Sequence, residues 1–351
     1  MRRLLAICSL LLPLFAVPAG AEEPGQGAHG LRLPASFTGT LPCADCEGIR
    51  HHLDLWPDQS FALRLEWLGG GAPSLRDDLG HWHVDPARRA LILTGGGEMP
   101  LQWQIRGDGG LRALDMAGEP IVSDLPYDLT PGPLVPTPLA LPMRGMFQYM
   151  ADAAVFTECL SGQRFPVVME GAYLDLERAY LAAGGAPGAP LMAALEGRIE
   201  ERPAMEGPPR RQLLVDRLAG LAPDETCPPA AAPAALINTY WRLVRLGATA
   251  LPEAAGREPY LVLLPGEAPR FSATLGCNMM NGSYQLDGAT LVFGPAASTM
   301  MACPPPLDAL EPALGQALAA TARWDSDGKN LRLLDAGGQV LVELAAVYAP
   351  S

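Results

Sequence analysis

The sequence predicts a mostly β protein with minor α content, arranged as three domains behind an export segment. Three observations predict it. Short apolar or alternating runs recur between turns marked by glycine and proline. Two proline-rich seams, Thr130 to Pro142 and Cys227 to Leu236, cut the chain into pieces of ordinary domain size. Helical spacing is confined to "YLDLERAYLAA" at 173–183 and "LDALEPALGQALAATA" at 307–322. The expected layout is a signal peptide at 1–21, domains at 30–130, 143–228 and 237–348, and linkers at 131–142 and 229–236.

The first element is the leader. Met1-Arg2-Arg3 precedes an apolar run from Leu4 to Val17, and the stretch ends on Ala19-Gly20-Ala21. A basic start, a short apolar core and an A-x-A end are the parts of a secretory signal peptide, with cleavage expected after Ala21. The run is shorter than the roughly 18 residues needed to cross a bilayer. Cys8 follows Ile7 and precedes most of the apolar core, which does not suit lipid attachment. The expectation is a periplasmic chain with no transmembrane span and no lipid anchor.

The 30–130 piece reads as a β-meander curled into a small barrel. "HHLDLW", "SFALRLEWL", "GHWHVD", "ALILT", "LQWQIRG" and "LRALDM" are its strands, separated by Pro57-Asp58 and by glycine-rich turns. The acids Asp77 and Asp78 of "SLRDDLG" read as solvated turn residues. The 143–228 piece mixes strands with the helix at 173–183. The 237–348 piece opens on "TYWRLVRLG", runs through short strands and a helix, and closes on a hairpin around Ala336-Gly337-Gly338.

Composition excludes some classes of partner. The chain has 25 Lys+Arg against 38 Asp+Glu, a net charge of −13. So acidic a protein is not built for nucleic acid or an anionic membrane face. The motifs G-x-S-x-G, Walker A and H-E-x-x-H are absent from the sequence. No enzyme activity and no required cofactor are expected.

Cysteine placement carries more. Beyond the leader the cysteines fall two to a domain: Cys43 and Cys46, Cys159 and Cys227, Cys277 and Cys303. An even count in an oxidising compartment suggests disulfides, and domain-local pairing is the simplest arrangement. Loop closure would contribute about 4.4 kcal/mol for Cys159–Cys227 and about 3.5 kcal/mol for Cys277–Cys303, as upper figures. Cys43 and Cys46 close too small a loop for that. Three readings stay open for them. A catalytic dithiol needs a helix N-terminus, and here the pair follows a proline and precedes strands. Two thiolates suit Cu(I) or Zn. A local disulfide is the resting state the compartment favours.

Histidines bear on the metal reading. His51 and His52 would point to opposite faces of a strand, whereas His81 and His83 share a face with Trp82 opposite. Any of His51, His52, His81 and His83 is a candidate further ligand beside Cys43 and Cys46. The plainer reading is that Trp82 fills the barrel and its histidine neighbours face outward. Asn278 in "GCN" reads as a turn residue. Met279, Met280, Met300 and Met301 read as core filler.

Several stretches resemble a known family. "GTLPCADCEGI" with the strands after it and "LPYDL" is similar to the N-terminal domain of the NlpE family of bacterial envelope proteins. "MRGMFQYMADAAVFTECLSGQRFPV" and "LERAYL" resemble that family's second, OB-like domain. "TYWRL", "GCNMMNGSY" and "ASTMMAC" resemble the META (HslJ-type) domain. The resemblance implies a lipocalin-like β-barrel, an OB-like barrel domain and an α+β META domain. It also implies a non-enzymatic sensor or adaptor in envelope stress response and copper tolerance. Its partners would be envelope proteins, among them the periplasmic domain of a stress sensor kinase. Two alternatives stand beside this: a periplasmic copper-binding protein using the CxxC pair, and a carrier of a small apolar ligand in the first barrel.

Overall fold

The computed structural model describes residues 25–69, 74–151, 153–204, 207–228, 233–251 and 256–350. The expected signal peptide and residues 229–232 of the second linker lie outside the described residues.

Eight strands build the first domain: β1 (Ala35–Leu41), β2 (Gly48–Leu55), β3 (Ser60–Leu68), β4 (Ser74–Asp85), β5 (Ala90–Gly95), β6 (Leu101–Ile105), β7 (Leu111–Ala113) and β8 (Asp128–Pro133). Each pairs with the next, and β8 returns to β1, so the sheet closes into a barrel. Alternation sets the two faces. Phe37, Leu53, Leu55, Phe61, Trp82 and Trp103 are buried in one core cluster that fills the barrel.

The first seam is not a spacer. Its N-terminal half is the closing strand, with Pro131 opposite Phe37 and Pro133 opposite Ala35 in the β1–β8 register. Prolines spaced two apart lose donors on one edge only, so Thr130 and Gly132 can still serve β1. By Leu139 the chain is already in the next domain's first strand. That domain comprises β9 (Leu139–Met150), β10 (Ala153–Glu158), β11 (Arg164–Pro166), α1 (Tyr173–Ala182), β12 (Leu191–Arg202) and β13 (Arg210–Ala222). The sheet order is β11-β10-β9-β12-β13. Tyr173, Leu176 and Tyr180 of α1 join Phe147, Phe156 and Val215 in its core, together with Ala62 and Leu79 from the outside of the first barrel.

The third domain is a curled nine-stranded sheet with one helix. Its elements are β14 (Tyr240–Leu246), β15 (Thr249–Ala250), β16 (Tyr260–Leu264), β17 (Arg270–Thr274), β18 (Met279–Asp287), β19 (Thr290–Ser298), α2 (Leu307–Ala320), β20 (Arg323–Ser326), β21 (Asn330–Leu334) and β22 (Val340–Val347). β14 also pairs with β22, which brings the sheet back on itself. Trp241, Leu263, Phe271 and Leu344 pack with Leu314 and Leu318 of α2. Among the described residues no helix is long and apolar enough to cross a membrane.

Candidate functional sites: the cysteine loop and the two barrel junctions

Cys43 and Cys46 lie in the loop joining β1 to β2 and are bonded to each other, with Sγ atoms 2.05 Å apart. Pro42 breaks β1, and Gly48, at φ +152°, resumes the ladder in a conformation a side chain rarely adopts. A Cβ at Gly48 would also sit 2.6 Å from Thr40 Cγ2. The loop makes few contacts: Cys46 Sγ is 3.4 Å from Gly48 O, Cys43 Sγ is 3.6 Å from Asp45 Oδ1, and Glu47 N donates to Leu68 O. Cys159 and Cys227 are likewise bonded, as are Cys277 and Cys303.

The histidines go elsewhere. His51 points into the barrel, donates Nδ1–H to Ile49 O at 2.9 Å and meets Trp103 edge-on; burial pushes its pKa down. His52 points out and reaches Asp54 Oδ1 at 3.0 Å and Val135 O at 3.1 Å. The bond to Asp54 holds its pKa above the usual value. His81 donates Nδ1–H to Leu160 O at 2.5 Å, across to the second domain. His83 is partly buried, and desolvation lowers its pKa. Trp82 between them is fully buried. Among the described residues, the one set of three or more metal-type side chains with ligand atoms close together is Cys277, Cys303 and Glu311. The structure therefore brings none of the four histidines to Cys43 and Cys46 as a third ligand.

Asp54 and Asp77 organise the junction with the second domain. Asp54 is fully buried on the outer wall of the barrel. It accepts from Ser36 Oγ at 2.5 Å and from Thr137 N at 2.7 Å, and Val135 N donates to Ser36 Oγ at 2.8 Å. Serine, aspartate and histidine meet here in the wrong order for nucleophilic catalysis. The hydroxyl donates to the carboxylate and not to the imidazole, so His52 cannot take its proton. The set is a clamp on the first seam. Asp77 and Asp78 are strand residues rather than solvated turn residues, because β4 begins at Ser74. Asp77 takes Arg64 Nε at 2.7 Å and Nη2 at 2.6 Å, and also accepts from Ala140 N at 2.6 Å. Arg211 of β13 lies over Trp56 at 4.5 Å and donates to Gln163 Oε1 at 2.9 Å.

The other end of the barrel is closed by the third domain. Tyr240, Tyr260 and Val262 belong to the barrel's own core cluster. Tyr348 stacks on Trp82 at 5.3 Å, and its hydroxyl donates to Glu258 Oε2 at 2.7 Å. His29 stands edge-on to both rings, at 5.4 Å from Trp82 and 4.3 Å from Tyr348. Leu31 N donates to its Nδ1 at 3.0 Å, so the neutral ring carries its proton on Nε2, which finds no acceptor among the described residues. A Cβ at Gly27 would lie 2.6 Å from that Nε2, so only glycine lets the backbone cover the ring. Burial drops the His29 pKa to about 3. Gln26 bridges to Arg257, and Asn238 reaches Asp85 Oδ1 at 3.0 Å.

Sequence reading missed His29, Tyr348, Asp54 and Asp77. Asp54 had a faint signal, an acid inside an alternating strand. Nothing local told that Thr137 would donate to it.

Known proteins resemble this assembly. The NlpE N-terminal domain model matches residues 37–124, the NlpE C-terminal OB domain model residues 138–228, and the META domain model residues 234–348. Lipoprotein NlpE of Escherichia coli (strain K12) is 38% identical over 212 residues, which cover 58% of this chain and 85% of that protein. The chain belongs to the NlpE family. The crystal structure of the Cpx pathway activator NlpE from Escherichia coli is 36% identical, covering 56% of this chain and 98% of that one, with a TM-score of 0.25. An NMR structure of a protein from Burkholderia xenovorans is 25% identical over 35% of this chain and 95% of that one, with a TM-score of 0.28. The resemblance carried by CADCEG, YMADAA and the two methionine-rich motifs thus holds for all three modules. This NlpE-family chain extends past its Escherichia coli relative through a META domain.

Proposed function

We propose that this NlpE-family chain is a non-enzymatic periplasmic adaptor in envelope stress sensing, acting on the periplasmic part of a sensor kinase. The observation that carries the reading is its 38% identity to lipoprotein NlpE of Escherichia coli over 85% of that protein, and the Escherichia coli NlpE is a Cpx pathway activator. The geometry agrees with an adaptor. Trp82, Phe37 and Leu53 fill the barrel, and tyrosines of the third domain close one end. An apolar cargo would have to displace that packing, which speaks against the carrier reading. The Ser36–Asp54–His52 set is ordered as a clamp.

Copper tolerance forms the second part of the proposal. The Cys43–Cys46 loop projects from the barrel with few contacts, so its sulfurs can change state without disturbing the core. Oxidised, the pair offers no thiolate. Reduced, it offers two soft ligands to Cu(I). The test is to produce the chain in an Escherichia coli strain lacking its own NlpE and to read a Cpx-dependent reporter. A rise in reporter output is expected; output equal to the empty vector overturns the adaptor reading. In parallel, purified protein should bind Cu(I) only after reduction gentle enough to leave Cys159–Cys227 and Cys277–Cys303 bonded, and a Cys43→Ser, Cys46→Ser variant should lose that binding. Unchanged affinity in the variant removes the copper role of this loop.

A further inference from the structure

The cysteines of the third domain are built into a polar knot that the adaptor reading does not use. Glu311, on α2, is buried to 5% exposure, and Asn278, just before β18, to 8%. The Glu311 carboxyl accepts from Asn278 N at 2.6 Å and from Asn278 Nδ2 at 2.6 Å, and its Oε2 lies 3.3 Å from Cys303 Sγ. Asn278 Oδ1 accepts from Met301 N at 2.7 Å and from Thr299 Oγ1 at 2.9 Å. One ligand atom each from Cys277, Cys303 and Glu311 lies within 4.8 Å of the others.

We propose that reduction of Cys277–Cys303 opens a zinc site made of the two thiolates and the Glu311 carboxylate. Three features of the knot point there. Burial of a carboxyl group beside sulfur is costly unless it is satisfied, and Asn278 supplies two neutral donors to it but no charge. A cation bound by two thiolates and the carboxylate would supply that charge. Next, Asn278 holds the backbone at Met301 independently of the S–S bond. The Cys303 segment therefore stays close to Cys277 after reduction, and the site is preorganised by its outer partners. Third, the knot can be reached. Met300 is 97% exposed and Met301 57%, and a cleft of about 700 Å³ borders Cys303, Glu311 and Asn278. Two of the four methionines read as core filler thus stand in solvent beside this cleft. Two sulfurs with one carboxylate oxygen and an open fourth position suit Zn²⁺, whereas Cu(I) would leave the hard oxygen unused.

The chemistry balances with a dithiol as reductant. Its thiolate attacks one sulfur of Cys277–Cys303 and forms a mixed disulfide. Its second thiol then displaces the remaining thiolate and closes the reductant's own disulfide, so two electrons pass to the cysteine pair. Zn²⁺ takes the place of the two thiol protons, which leave to buffer.

The test uses the full chain carrying Cys43→Ser and Cys46→Ser, reduced and then titrated with Zn²⁺, with Co²⁺ as a spectroscopic stand-in. The parent should bind no zinc when oxidised and one equivalent when reduced, with a thiolate-to-cobalt charge-transfer band and tetrahedral visible bands. Adding Cys277→Ser and Cys303→Ser should abolish that equivalent. Glu311→Gln should weaken it about tenfold or more. Persistence of the equivalent without Cys277 and Cys303 overturns the proposal, as does unchanged affinity in Glu311→Gln. Should Glu311→Gln fail to fold, the parent's own spectrum decides: no thiolate-to-cobalt band at one equivalent sinks the site.

Discussion

The barrel is joined to its two neighbours in opposite ways. Toward the third domain the join is apolar and aromatic: Trp82, Tyr348, His29, Tyr240 and Tyr260 share contacts or one core. Toward the second domain it is mainly a set of polar clamps, in which Asp54 and Asp77 take backbone N–H groups of Thr137 and Ala140. Apolar burial is non-directional and makes two domains one cooperative body. Buried polar clamps are directional, fix one register and cost most when a single partner is removed. The first join should therefore answer to volume, the second to charge and hydrogen bonding.

Trp82→Ala should have the largest effect. Trp82 is fully buried, donates Nε1–H to Trp56 O at 3.1 Å and carries the Tyr348 stack. Its loss should cost about 3–5 kcal/mol. Hydrogen exchange should rise together in β3 of the barrel and β16 of the third domain. A rise confined to the barrel would show that the shared core does not couple the two.

Acid should come next, with opposite signs at the two joins. Unfolded, His29 binds a proton below about pH 6.5. Folded, burial keeps it neutral down to about 3. The unfolded state then holds more protons, so the His29 contribution is intact above about pH 6.5 and is lost toward pH 3 at about 1.4 kcal/mol per pH unit. Urea unfolding at pH 7 and pH 4.5 should show the loss, and His29→Phe should flatten it. His52 works the other way, because Asp54 raises its pKa in the folded state. Its contribution is full below about pH 6.5 and fades as pH rises through the raised value.

What the sequence disclosed follows from the range of the interactions. Strands such as 60–68 and both helices are set by local alternation and turn residues, so they were legible at close to their observed bounds. The inward turn of Trp82 was legible for the same reason. The first seam was misread because proline content weighs against a strand, whereas a closing strand tolerates prolines two apart. Asp77 was misread because its partners, Arg64 and the Ala140 N–H, lie 13 and 63 residues away. Asn278 was read as a turn residue, and its bonds to Glu311 and Met301 span 33 and 23 residues. Polar partners at such distances leave no periodicity for a sequence reading to find.

Asp77→Asn should give the smallest effect, and it separates the two joins most cleanly. The side chain of Asp77 is 3% exposed, and its two oxygens serve Arg64 and Ala140 N together. Asparagine keeps one acceptor and turns an NH₂ toward a donor, either the guanidinium or the amide. Leaving one of these donors unmet should cost about 1–3 kcal/mol. Arg64 retains 25% exposure of its side chain, so water can take over part of its bonding and the loss should fall toward the lower end. Amide exchange should rise at 138–142, where the first seam enters β9, and stay unchanged in β16 and β22. Equal protection loss in β22 would mean that the polar clamps also support the aromatic end, and the two joins would then be one mechanical unit.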